Sequence, residues 1–285
     1  MRRSNVLVVG LGEVGFTLFE LLKQSGKFEI YGLDINENKM KETDQANPPS
    51  TIDIMHICYP CFDTEEFVKV TVEYMNRFKP KMTIINSTIV PGTTEKTYKL
   101  SNRRVVHSPI RGVHKSVESM KRDLLFYTKY IGGIDEESAK LASKHFKLAG
   151  FKTKVLHSCF ETELAKLFET TSRAMLIAWY QEMHRISRLF DADFDEVVDF
   201  LEDTHRMRLD RPLLFPGVIG GHCLIPNAEL LLEAYDSQFI KLILESNERR
   251  KREIEDKVVF EEIEKIRKRC ENLENWLLKL SGKNE

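Results

Sequence analysis

The chain has 285 residues, 42% of them hydrophobic, enough to bury a full core and to form two domains or one domain with a large helical appendage. Its 43 lysines and arginines nearly balance 44 aspartates and glutamates, so no global basic field recruits nucleic acid and no acidic tail is present. No apolar run reaches membrane-spanning length, and residues 1–5 lead directly into an apolar strand without the pattern of a signal peptide, so a cytoplasmic protein with no membrane partner is expected. Five scattered cysteines, an odd number, argue against a disulfide framework. The pair in Cys58-Tyr59-Pro60-Cys61 has redox or zinc spacing, but no second ligand pair accompanies it, and no metal is expected.

In chain order, residues 6–9 are a continuous apolar, β-branched run, as in a parallel strand buried on both faces. The run leads into Gly10-Leu11-Gly12-Glu13-Val14-Gly15 and a helical pattern over 16–24. In such a strand, glycine turn and helix, the first glycine permits the turn and the second lets a pyrophosphate approach the backbone. The third lets helix and strand pack, while the helix N-terminus offers free N–H groups. A second strand over 28–33 ends in Asp34, at the spacing of a carboxylate that accepts hydrogen bonds from a ribose. Because a carboxylate repels a 2′-phosphate, NAD is expected over NADP.

Strands over 52–57, 82–86 and 104–107, with a helix over 65–78, continue the alternation of a doubly wound parallel sheet, whose ligands lie at the strands' carboxyl ends. Two of those ends carry polar groups. Ser87 and Thr88, before Pro91 and Gly92, belong where the nicotinamide should lie or cap the helix starting near Glu95; His107, Arg111 and His114 are either exposed loop polarity or recognise an anionic group on a substrate. A long helix over 161–190 follows. Further on, Pro216-Gly217-Val218-Ile219-Gly220-Gly221-His222-Cys223 reads as a tight loop with a cysteine near its tip, either a buried structural thiol or a nucleophile. Residues 228–244 read as a helix. A charged helical stretch over 245–279 has Ile254, Val258, Glu261, Ile263, Ile266, Cys270, Leu273 and Leu277 at helical spacing, as on a packing or coiled-coil face. The fold class is thus α/β, with an N-terminal doubly wound parallel sheet over 1–155 and a mainly helical domain over 156–285.

The glycine turn, the Asp34 strand end, Ser87-Thr88-Ile89-Val90-Pro91-Gly92-Thr93-Thr94, Tyr130-Ile131-Gly132-Gly133, Glu163-Leu164-Ala165-Lys166-Leu167 and Gly220-Gly221-His222-Cys223 together resemble the UDP-glucose/GDP-mannose dehydrogenase family, over most of 5–230. The resemblance implies a Rossmann domain that binds NAD, a central helix that supports a homodimer, and oxidation of a sugar's primary alcohol to a carboxylate by two hydride transfers through a cysteine-bound intermediate. It assigns the cofactor to Gly10, Gly12, Glu13, Val14, Gly15, Asp34, Ile35, Tyr59, Pro60, Ser87 and Thr88. The sugar-type substrate goes to His107, Arg111, His114, Gly220 and Gly221. Cys223 becomes the nucleophile, Lys166 the cation facing the developing oxyanion, and Thr170 and His222 join the reacting centre.

The departures from the family are specific. Thr170 stands where an asparagine is usual, and Ile110 where a glutamate associated with water and proton handling is usual, leaving the second oxidation to Glu161, Glu163 or His222. No second glycine-turn unit follows Asn227, so a short form without the nucleotide-sugar-binding domain is expected. Two alternatives stand beside the family's reaction: a two-electron oxidation like that of 3-hydroxyacid dehydrogenases, without a covalent step, and an inactive NAD-binding scaffold or sensor.

Overall fold

The structure, a computed structural model, describes residues 3–41, 43, 48–112, 116–221 and 223–280, the last three by their backbone alone. It divides into two compact units, Met1–Leu167 and Phe168–Glu285. The dividing point falls inside the long helix rather than at 155/156, where the last strand ends. Among the described residues no helix is long and apolar enough to cross a membrane.

The first unit runs β1 (Ser4–Val9), α1 (Glu13–Gln24), β2 (Phe28–Leu33), α2 (Glu37–Lys41), β3 (Ile54–Ile57), α3 (Thr64–Phe78), β4 (Met82–Ile85), α4 (Thr93–Ser101), β5 (Val105–His107), α5 (Val117–Phe126), β6 (Lys129–Gly133), α6 (Glu136–Leu148) and β7 (Thr153–Val155). The seven strands lie in the order β2-β1-β3-β4-β5-β6-β7, parallel except where β6 runs against β5. Successive residues of β1 serve opposite cores: Val6 and Val8 pack with Phe19, Ile84 and Phe146 on one face, Leu7 and Val9 with Met55, Ile57 and Phe67 on the other. Burial on both faces is why the strand reads as an unbroken apolar run. Helix starts are capped by short acidic side chains: Asp63 accepts from the Glu66 N–H at 2.8 Å and Asp135 from the Ser138 N–H at 2.7 Å.

α7 (Cys159–Leu189) begins in the first unit and continues in the second, which adds α8 (Phe194–Arg208), α9 (Leu224–Ala234), α10 (Gln238–Glu253) and α11 (Lys257–Leu280). The helix expected over 228–244 is broken. α9 stops at Ala234, and Ser237 caps a new helix by accepting from the Ile240 N–H at 3.4 Å. A second break at 254–256 separates α10 from α11. The apolar stripe of α11 is used within the unit: Ile266 and Leu273 pack with Tyr180, Val198, Leu213 and Leu214, while Arg269 reaches Asp195, Asp199 and Glu202 on α8. Val259 is buried where Val258 was expected, and Val258 is exposed.

Candidate functional site

The glycine turn sits at the carboxyl end of β1. Gly10 has φ +87°, and a Cβ there would lie 2.7 Å from the Tyr59 nitrogen, so Tyr59 contributes its backbone as the floor of the turn. On Gly15 a Cβ would meet the Gly10 carbonyl oxygen at 1.7 Å, which locks α1 against the turn. Gly15→Ala is therefore expected to destabilise the first unit by about 3 kcal/mol, read as a fall in its urea midpoint. Around Gly12, by contrast, a Cβ would find nothing within 4 Å. Gly12 also caps α1, whose N-terminus receives no side-chain cap. Asp34 closes the far side: its carboxylate accepts from the Leu11 N–H at 2.6 Å and the Asn36 N–H at 2.8 Å. Ile35 beside it is 95% exposed, an apolar face for a planar ring. Open glycine, uncapped helix start, carboxylate and apolar flank fit a dinucleotide. Glu13 is exposed and Val14 half-buried on the first turn of α1.

At the ends of β3, β4 and β5 the polar side chains are mostly committed to the fold. The Ser87 hydroxyl donates to the Tyr59 carbonyl at 2.5 Å, and the Tyr59 phenol pairs with Thr71 at 2.6 Å. Thr88 is half-buried and Pro60 exposed. Lys129, at the start of β6, is only 4% exposed; its ammonium donates to the carbonyls of Ser108 (2.5 Å) and Pro109 (3.2 Å) and to Asn86 Oδ1 (3.3 Å). From there a chain runs through the core: the Asn86 amide faces His56 Nδ1 at 3.2 Å, and His56 Nε2 faces His145 Nε2 at 3.0 Å. Burial pulls Lys129 down to about 7, His145 to about 3 and His56 well below its ordinary value, so both imidazoles are neutral. Burial also pushes the Cys58 thiol up to about 12, the opposite of what a redox or metal-binding thiolate needs, and neither Cys58 nor Cys61 is in a disulfide. Among the described residues no group of three or more His, Cys, Asp or Glu is placed to hold a metal ion.

α7 reaches these strand ends. Glu163, with no exposed surface, accepts from the Gly92 N–H at 2.7 Å, the Thr94 N–H at 3.0 Å and the Thr94 hydroxyl at 2.6 Å, fixing the start of α4; burial raises its pKa. One turn on, half-buried Lys166 is near enough for its charge to oppose protonation of His107 and Lys129.

In the second unit, the loop before α9 ends with Cys223 at that helix's N-cap position, half-buried. Gly220 and Gly221 are exposed, Gly221 with φ +82°. Four residues after Cys223, buried Asn227 donates to buried Thr170 at 3.1 Å.

Residues 161–249 match the model of the UDP-glucose/GDP-mannose dehydrogenase family, central domain. UDP-N-acetyl-D-mannosamine dehydrogenase of Methanocaldococcus jannaschii is 29% identical, across 93% of this chain and 68% of that protein. The enzyme of the same name from Pyrococcus horikoshii is 25% identical, across 86% and 68%. The solved UDP-D-ManNAc dehydrogenase structure from P. horikoshii superposes with a TM-score of 0.72 at 23% identity, over 86% of this chain and 68% of that one. Over residues 161–249 the chain thus resembles the central domain of the UDP-glucose/GDP-mannose dehydrogenase family. Its fold is also shared with the 3-hydroxyisobutyrate dehydrogenase of Mycobacterium tuberculosis, with a TM-score of 0.65 at 13% identity over 90% of this chain and 95% of that one.

Within the family's pattern, several residues lie where sequence reasoning did not put them. His107 is fully buried, with Nε2 on the Ser87 carbonyl at 3.0 Å and Nδ1 on the Thr162 hydroxyl at 2.9 Å; burial lowers it to about 3. Both ring nitrogens are thus committed inside the unit, and His107 acts as a brace between β5 and α7 rather than as an exposed loop residue. The Arg111 guanidinium lies over the rings of Tyr127 (5.0 Å) and Tyr130 (5.1 Å) and donates to the Thr128 carbonyl at 2.8 Å. His114 and His222 lie outside the described residues. Ile110, in the family's glutamate position, is buried in the apolar core, and Glu161 accepts from Ser158 at the exposed start of α7. Glu163, expected from the sequence as a substitute for the missing glutamate, has both carboxylate oxygens engaged by Gly92 and Thr94. Lys129 and Asn227 were not assigned roles from the sequence; only Asn227, one helical turn past the cysteine, carried a usable spacing signal.

Proposed function

We propose that the chain is an NAD-dependent dehydrogenase that oxidises the primary hydroxyl of a nucleotide sugar, of the UDP-N-acetylmannosamine type named for its relatives. One observation carries the reading: the family match over 161–249 takes in both Lys166 and Cys223 in a single segment. Gly12, the start of α1 and Asp34 would hold the pyrophosphate and ribose, and the unphosphorylated ribose suits Asp34. NAD, when bound, accepts hydride from carbon.

In the covalent route the Cys223 sulfur adds to the aldehyde carbon, and the carbonyl electron pair moves to oxygen, where the Lys166 ammonium stabilises it. Loss of hydride from the thiohemiacetal gives a thioester. Water then cleaves the C–S bond, releasing carboxylate and thiol. Thr170 and Asn227, hydrogen-bonded to each other, tie the central helix to the helix that Cys223 starts.

Burial of Ile110 supports a second reading, a two-electron oxidation with no thioester, because no acid stands at that position to handle water. The deciding experiment is incubation with NAD and UDP-N-acetyl-D-mannosamine while following NADH absorbance. NADH formation is expected; its absence across a panel of UDP-sugars, with NAD still bound, would establish the inactive scaffold instead.

Assembly follows the same pattern of exposed surface. With α11's stripe packed internally, α7 and α10 leave a groove of about 490 Å³ whose flanks include half-exposed Trp179, Phe239 and Leu242, the face we assign to a second copy of the chain. Light scattering after gel filtration should give a dimer for the parent and a monomer for the double variant Trp179→Glu, Leu242→Glu.

A further inference from the structure

After α8 the chain crosses residues 210–221 without helix or strand, yet Leu213, Leu214, Pro216, Gly217 and Ile219 are buried. A buried loop must find partners for its peptide groups, because each unpaired one carries a desolvation penalty. Here two buried side-chain amides supply them. Gln181 on α7 donates from Nε2 to the Gly217 carbonyl at 2.7 Å. On α10, Asn247 takes both groups of one residue: Oδ1 accepts the Ile219 N–H at 2.7 Å and Nδ2 donates to the Ile219 carbonyl at 3.4 Å. That is the pairing a neighbouring strand would provide, made by a single side chain.

Gln181 is also tied to the residue that precedes Asn247. Gln181 Oε1 accepts the Ser246 hydroxyl at 2.7 Å, and Arg185 donates to the Ser246 hydroxyl at 2.9 Å and to its carbonyl at 3.0 Å. Gln181 is fully buried and Asn247 1% exposed. The Ile219 side chain packs with Ala174, Ala178 and Ile243, so backbone and side chain are held together. Beyond this anchor come exposed Gly220 and Gly221, and then Cys223 at the start of α9. Four residues of chain span at most about 14 Å, so fixing Ile219 bounds where the sulfur can lie. From the other side, α9 is tied by Asn227 to Thr170.

We infer that Asn247, bonded to both peptide groups of Ile219, is a positioning residue for Cys223: it fixes the path of the glycine-rich loop so that the thiol meets its substrate in one geometry. This rests on the reading that Cys223 reacts. Misplacing a reacting atom by about 1 Å costs about 100-fold in rate. Asn247→Leu, which removes both hydrogen bonds at similar size, should therefore lower kcat for UDP-N-acetyl-D-mannosamine by about 100-fold while the KM for NAD stays within about 2-fold. Asn247→Asp keeps the acceptor for the Ile219 N–H and should recover part of that loss.

The independent readout is the rate at which iodoacetamide alkylates Cys223, followed by mass spectrometry. Asn247→Leu should change that rate in protein that still binds NAD with parental affinity. If Asn247→Leu does not fold, Gln181→Leu is carried through the same two measurements. Unchanged kcat and unchanged alkylation in a folded variant overturn the inference, as does a loss of NAD affinity in step with kcat. Full activity of Cys223→Ser would instead overturn the underlying reading, whatever Asn247 does.

Discussion

Cys223→Ser is expected to abolish acid formation, lowering turnover of UDP-N-acetyl-D-mannosamine by at least about 1,000-fold, which corresponds to ~4 kcal/mol of transition-state stabilisation. A serine hydroxyl fits the same space but is a far weaker nucleophile than a thiol at neutral pH and gives a poorer leaving group on the way out. NAD binding should be untouched, because the residues proposed to hold the dinucleotide all lie in the first unit and Cys223 in the second. Steady-state NADH formation and NAD titration on the same preparation separate the two effects. A variant that keeps parental turnover would remove the covalent step. Lys166→Ala provides the companion measurement: if the ammonium faces the oxyanion, kcat falls while the KM for NAD holds.

The second large effect concerns stability against pH. Burial holds His107 and His145 down at about 3 and His56 well below the ordinary 6.5. In the unfolded chain all three would take a proton near pH 6.5; in the folded unit none does. Stability from these groups is therefore complete above pH 6.5 and is lost as pH falls toward the folded values. Between pH 7 and 5.5 His107 and His145 each contribute a loss of about 1.3 kcal/mol, together about 2.6 kcal/mol, a sizeable share of a typical domain's stability, and His56 acts in the same direction. Lys129, pulled down to about 7, acts in the same direction at the top of that window. Glu163, whose pKa is raised, acts the opposite way as a single group at lower pH. Urea unfolding of the first unit at the two pH values is the check. His107→Gln, which can still meet Ser87 and Thr162, should reduce the dependence by about 1.3 kcal/mol. An equal midpoint at pH 7 and 5.5 would mean that the histidines are not buried as described.

The geometry behind that effect also marks the limit of what could be read from the residues alone. The β1–α1–β2 unit was legible because three local signals agree: an apolar run buried on both faces, glycines at fixed offsets and a carboxylate at the strand end. His107 was not, since a histidine at the end of a strand looks the same whether it meets solvent or a threonine brought in by a helix more than fifty residues later. Lys129 reads as strand-edge polarity until the turn carbonyls of Ser108 and Pro109 are seen around its ammonium. The break before α10 was hidden because Tyr235, Asp236 and Ser237 interrupt the helical period by less than one turn, and only the Ser237 cap reveals it. Gln181 and Asn247 are two polar residues on amphipathic helices, and nothing in their spacing points to the loop they hold. Long-range partners, rather than element boundaries, account for most of what the sequence concealed.

α11 illustrates the reverse case. Its charge density suggests a solvated helix, but its apolar positions fill the space beside α8, and Arg269 gathers three carboxylates there. The helical unit thus completes its own core with residues up to Leu273, while the groove between α7 and α10 stays open.

The number of NADH formed per sugar consumed tests the whole account most directly. With UDP-N-acetyl-D-mannosamine limiting and NAD in excess, two NADH and a carboxylate product are predicted, with a thioester on Cys223 trapped by acid quench and detected by mass spectrometry. One NADH per sugar, an aldehyde or ketone product and an unmodified Cys223 would contradict the covalent route and leave a two-electron dehydrogenase on the same fold.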